Sequence, residues 1–205
     1  MSACCEQDCE LNAESSSQRR TLRIVLGINA VMFGVIAAFA IIGRSTSLLA
    51  DSLDNFGDAL TYALSLFVVA KAVEAKARVA LFKGGLILLA ALIVTGQIIY
   101  KLVYPVVPSY EIMGVFSVAG LAANGVCLAL LWRHRHEDVN MSSVWECSRN
   151  DIASNVSVFL AAGAVWLTGS GWPDVLIALC LVVLLVRSAA RVSSSAFGIL
   201  RRSAV

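Results

Sequence analysis

Apolar and polar residues fall along this chain in long blocks, not in short periods. Six apolar runs occupy residues 22–42, 48–70, 84–104, 112–132, 141–167 and 172–192. Each is near or above the ~20 residues an α-helix needs to cross a bilayer. The fifth is the longest and is amphipathic at its start, where Glu146, Arg149 and Asp151 interrupt it. Short polar connections separate the runs, at 43–47, 105–111 and 168–171 on one side and at two places on the other. Sequential helices must then run antiparallel. The pattern predicts an all-α membrane protein with six transmembrane helices. Residues 1–20 read as a polar tail, 21–192 as the transmembrane domain and 193–205 as a short basic tail.

Polar side chains inside the runs are few. Asn29, Gln97 and Asn124 read as hydrogen-bonding contacts between helices. The second run is different, because Asp51, Asp54 and Asp58 stand at i, i+3 and i+7. On a helix that spacing puts all three on one face. An ionisable side chain at the centre of a bilayer costs about 2.5–3.5 kcal/mol on insertion scales. Such a stripe is tolerated where it faces a cavity, a counter-charge or a metal.

Composition supports the membrane setting, with 59% hydrophobic residues, 15% charged and a mean hydropathy of +0.80. Charge then orients the helices. With both termini in the cytoplasm, the inner side carries Arg19, Arg20, Arg23, Lys71, Lys76, Arg78, Lys83, Arg133, Arg135, Arg187, Arg191, Arg201 and Arg202. The outer side carries Arg44 and Lys101. That imbalance follows the positive-inside rule and places both termini in the cytoplasm. A net charge of +2 gives no reason to expect a nucleic-acid partner. Residues 1–14 hold Glu6, Asp8, Glu10 and Glu14 without an apolar core, so they do not read as a signal peptide.

The fifth run supplies a second polar face. Cys147, Asp151 and Asn155 are spaced i, i+4 and i+8 and line one side of a helix. Asp54 and Asp58, set against Cys147 and Asp151, make two i, i+4 pairs. Four ligands around one point is the number a tetrahedral divalent cation takes. Two carboxylates a few ångströms apart in a low dielectric do not both ionise easily, and a bound divalent cation displaces the proton they hold. Exchange of metal for protons is therefore built into this ligand set. Asp51 reads either as an outer partner of the site or as a solvated residue at the outer interface. Asn155 either joins the site or bonds a neighbouring helix. Cys4, Cys5 and Cys9 in the tail can capture a soft metal as thiolates, and His134 and His136 in an inner loop can feed one to the site. Cys127 and Cys180 read as small packing residues, and no disulfide framework is expected.

The runs Ser47-Leu48-Leu49-Ala50-Asp51-Ser52-Leu53-Asp54-x3-Asp58 and Cys147-x3-Asp151-x3-Asn155 resemble the second- and fifth-helix motifs of the cation diffusion facilitator family. The stretch Gly169-Ser170-Gly171-Trp172-Pro173-Asp174, with Arg187-Ser188-Ala189 after it, resembles that family's passage into its sixth helix. The resemblance covers about residues 20–202. It implies a metal/proton antiporter acting as a homodimer. It places Asp54, Asp58 and Asp151 at transport-site positions, and Cys147 where the family usually has His. Family substrates are zinc, cobalt, cadmium, iron or manganese; a thiolate argues against manganese and towards zinc or cadmium. The cytoplasmic metal-binding domain common in the family has no counterpart after Val192, so a short form is expected.

The expected function is efflux of a divalent transition metal, foremost Zn²⁺ with Cd²⁺ or Co²⁺ next, in exchange for protons. The expected setting is a multi-pass protein of a bacterial inner membrane, with no cofactor and no enzymatic activity. Two other classes compete. One is a membrane metal sensor or accessory subunit that binds metal without moving it, which the short length and cysteine tail suit. The other is an intramembrane aspartyl protease, against which Asn55-Phe56-Gly57 before Asp58 lacks the usual Gly-x-Gly-Asp turn.

Overall fold

A computed structural model describes residues 4–68, 73–132 and 139–203. Side chains at 1–18, 67–80, 133–147 and a few further positions lie outside the described set. Six helices follow in chain order, with no strand among the described residues: α1 (Cys4–Ile42), α2 (Thr46–Val68), α3 (Val73–Val103), α4 (Tyr110–Trp132), α5 (Val139–Thr168) and α6 (Trp172–Ser203). All but α2 are long and apolar enough to cross a membrane. The 23 residues of α2 match in length, but three aspartates set it apart in composition.

Two helices run beyond the apolar blocks. α1 begins within the polar stretch expected as a tail. No Gly or Pro stands between Cys4 and Leu26, and Glu, Gln, Ala and Arg there favour helix. Likewise α6 continues through 193–203, because no proline follows Pro173. Pro173 itself sits in the first turn, where its missing N–H costs nothing.

Between 22% and 39% of each of the five spans is buried inside the protein, so most of their apolar surface faces outward. Leu88, Leu92, Leu160, Leu179 and Val183 are among those exposed, and so large an apolar surface belongs in lipid. Thr61, Thr95, Ser157 and Thr168 return their hydroxyls to the carbonyl one turn back in their own helix. That satisfies a polar group where no water is available. Tyr100, Tyr104, Tyr110, Trp166 and Trp172 are exposed near one end of the molecule and Trp132 near the other, as interfacial aromatic residues are.

The three short connections meet at one end. α1 stops with Arg44 at φ 52°, and the Ser45 and Arg44 amides donate back to Ala40 and Ile41, a left-handed stop. The Ser45 hydroxyl then accepts from the Leu48 amide at 3.1 Å and caps α2. The Ser109 amide before α4 donates to the Gly43 carbonyl at 2.9 Å. Gly43 packs so close to Ile112 that a side chain there would collide with it, and Gly171 lies equally close to the Val106 carbonyl. Gly169 ends α5 at φ 60°.

The strongest pairings are α1 with α2, α3 with α6 and α4 with α5. α2 alone touches all five other helices. The main apolar core gathers side chains of α1, α2, α3, α5 and α6, around Ile36, Leu48, Val94, Val158, Leu181 and Leu185.

Candidate functional site

The central helix carries the acids. Asp51 is 1% exposed and Asp58 7%, while Asp54 is half-buried. Burial of Asp51 overturns the solvated-interface reading of that residue; it faces the inside of the bundle. The Asn55 amide donates to the Asp51 carbonyl at 3.0 Å. One turn beyond Asp58, the Tyr62 hydroxyl donates to Asp58 Oδ2 at 3.1 Å.

Helix α5 packs against α2 and presents Asp151, 5% exposed, with Ser148, Ser154 and Asn155 buried beside it. The Asn155 amide nitrogen donates to the Asp151 carbonyl at 2.8 Å. Its oxygen lies against Gly120 of α4, in space that a Cβ there would fill. Asn155 thus bonds within its own helix and is held by α4, and does not tie two helices by hydrogen bonding. Cys147 stands one turn before Asp151 on α5; its side chain, like those of Cys4, Cys5 and Cys9, lies outside the described residues. His134 and His136 lie outside them altogether. Among the described residues no three His, Cys, Asp or Glu side chains cluster closely enough to hold a metal ion.

What the described side chains do form is a polar interior. Asn29, Asn55 and Asn155 each spend their amide nitrogen on the carbonyl one turn back, so each leaves its oxygen buried without a protein partner. Both polar atoms of Asn124, Oδ2 of Asp51 and the hydroxyl of Ser148 are in the same position. Each such buried group costs about 1–3 kcal/mol if nothing meets it. All of them fall on α1, α2, α4 and α5. None of the described residues of α3 or α6 has one. Four helices therefore enclose oxygen donors suited to a cation or its water, and the α3–α6 pair braces them with an apolar face.

A second polar centre, absent from the sequence reading, lies at the end where the short connections meet. Asp174, in the first turn of α6, is sealed from solvent and pairs with Lys101 of α3 at 2.7 Å. The same carboxylate accepts the Thr46 and Ser47 amides at 2.8 and 3.0 Å, and the Ser45 and Ser47 hydroxyls at 2.7 and 2.6 Å. Five donors converge on it. A carboxylate at the positive N-terminal end of α2 is also favoured by the helix dipole. Lys101, assigned from sequence to the outer side, is buried here. Its only sequence signal was a basic residue in the last turn of an apolar helix, with Asp174 opening another. Gln97 is exposed and lines a cleft beside Lys101, Tyr100 and Thr46.

A family model described as the cation efflux transmembrane domain matches residues 22–201. No curated protein matches the chain.

Proposed function

The chain belongs to the cation efflux family, whose members are metal-cation transporters and not enzymes, and we propose that it exports a divalent transition metal from the cytoplasm in exchange for protons. The observation that carries this reading is the burial of Asp58 and Asp151 on two packed helices of one polar bundle. In this proposal the two acids take up protons when the cation leaves, and an incoming divalent cation displaces them.

In this proposal Asp54, Asp58, Cys147 and Asp151 are the transport-site ligands and Zn²⁺ is the foremost substrate, with Cd²⁺ and Co²⁺ next. Asn155 holds the backbone at Asp151, and Asp51 lies on the path towards the clamped end. α2 is the sixth span. With the basic residues of 19–23, 71–83, 133–135 and 187–202 facing the cytoplasm, the clamped end faces outward. Alternating access follows from rocking of the polar four-helix group about the ion. The protein works as a homodimer in a bacterial inner membrane. Family membership leaves the protease reading without support.

The test is metal-driven proton flux in proteoliposomes. Wild type should move protons against Zn²⁺, and Asp58→Asn or Asp151→Asn should abolish the movement. A wild-type protein that binds Zn²⁺ stoichiometrically yet moves neither ion would instead establish a sensor or accessory subunit.

A further inference from the structure

We propose that Cys127 of α4, with Asn29 of α1, forms a second binding position for a thiophilic divalent cation, beside Asp58 and apart from the α5 ligands. The kind of cation rests on the transport reading above; the location rests on the geometry alone.

Both residues are fully buried. The Asn29 amide nitrogen reaches the Cys127 sulfur at 3.7 Å and the Val25 carbonyl at 2.9 Å. The oxygen of that same amide is left inside the protein without a partner. Asp58 stands one turn before Tyr62 on α2. Tyr62, which donates to Asp58, packs in one apolar cluster with Cys127, Leu22, Val25 and Leu131. Helices α1, α2 and α4 thus bring an amide, a carboxylate and a thiol into one neighbourhood closed by apolar side chains.

The alternative is that Cys127 only fills space. A packing thiol has no need of an amide against it. An interior amide whose nitrogen is shared between a carbonyl and a sulfur while its oxygen meets nothing is an expensive choice inside a membrane. With the Asn29 amide turned to present its oxygen, a metal meets all three groups at once, and the sulfur selects for soft ions such as Zn²⁺ and Cd²⁺. On binding, the thiol proton is released as the sulfur–metal bond forms. Three mixed donors fall short of the four that close a structural zinc site, which suits a place where an ion pauses. Tyr62 and Cys127 lie towards the ends of α2 and α4 that are remote from the Asp174 clamp, the cytoplasmic side in the proposed orientation. The position therefore precedes the transport site on the way out.

The test uses purified full-length protein with Cys4, Cys5, Cys9, Cys147 and Cys180 changed to Ser, leaving Cys127 as the one thiol. Titration with Cd²⁺ should give the ultraviolet absorption of a thiolate–cadmium bond at one thiolate per chain. Adding Cys127→Ser should remove it, and Asn29→Leu should weaken the apparent affinity about tenfold. A companion chain that keeps Cys147 alone reports on the transport site separately. Absorption there but none from Cys127 would overturn this position and leave the transport reading standing. Should the multiply substituted chain fail to fold, Cys127→Ala in the otherwise unchanged protein should lower the saturating absorption by one thiolate's share. An undiminished signal would overturn the proposal.

Discussion

The Lys101 ammonium and the Asp174 carboxylate meet at 2.7 Å with both side chains almost wholly removed from solvent, joining α3 to the start of α6. The pair is not symmetric. Asp174 has four further donors from residues 45–47, whereas the Lys101 ammonium donates to Asp174 Oδ2. Removing one partner of a buried ion pair costs about 3–5 kcal/mol. Asp174→Ala should reach that range, because it strands an ammonium, two hydroxyls and two helix-end amides. Lys101→Met should cost less, since the remaining donors still solvate the carboxylate. Thermal unfolding in detergent, run as a double-mutant cycle with Asp174→Asn, measures the coupling. If Lys101→Met proves as damaging as Asp174→Ala, the hydroxyls and amides are not supporting the charge.

Exposure separates the two acids of the proposed α2 ligand pair. Asp58 is buried and bonded to Tyr62, while Asp54 is half-buried and water can replace part of what it contributes. Even an outer partner of a metal ligand is worth roughly 10–100-fold in affinity. Asp58→Asn should lose at least that much Zn²⁺ affinity by calorimetry, and Asp54→Asn measurably less. Equal losses would place both carboxylates on the ion to the same degree.

Cys147 is where the chemistry of the proposed ligand set can be altered most directly. Exchanging sulfur for imidazole nitrogen disfavours soft ions. In flux measurements across Zn²⁺, Cd²⁺ and Co²⁺, Cys147→His should lower the Cd²⁺/Zn²⁺ ratio about tenfold. An unchanged ranking would remove the thiol from the set of ligands.

Gly120 leaves the room that Asn155 occupies. Gly120→Ala drives a methyl group into the Asn155 oxygen, and overpacking of this kind typically costs about 1–3 kcal/mol. Asn155 is held by its bond to the Asp151 carbonyl, so the strain should also reach transport. Adding Asn155→Ala should restore most of the stability but not the flux. Full stability of the single variant would show that Asn155 has another rotamer to take.

Much of the architecture can be read from the order of residues. Block lengths predict the helices, and turn residues such as Gly43 and Gly169 mark where they end, because both signals are local. The i, i+4 pairs are local as well, and so the acids of α2 and α5 stand out. The clamp does not: Asp174 lies 73 residues from Lys101 and 129 from Ser45, and each alone reads as a residue at a helix end. Nor does periodicity say which side of a stripe is sealed, and only packing distinguishes a buried Asp51 from a solvated one. Asn29 and Cys127, 98 residues apart, read singly as interhelical glue and as filler. The reach of α1 and α6 past the apolar blocks was hidden because propensity is a weak signal where hydropathy has stopped.

That reach has a mechanical side. A 39-residue helix is about 58 Å long at 1.5 Å per residue, against a hydrocarbon layer of about 30 Å. With no proline to hinge it, α1 is a lever whose longer arm lies beside α2 and α4 and whose shorter arm, residues 4–18, projects beyond the apolar span. A small tilt within the four-helix group becomes a displacement at residues 4–9, where three native cysteines offer points of attachment for spectroscopic labels.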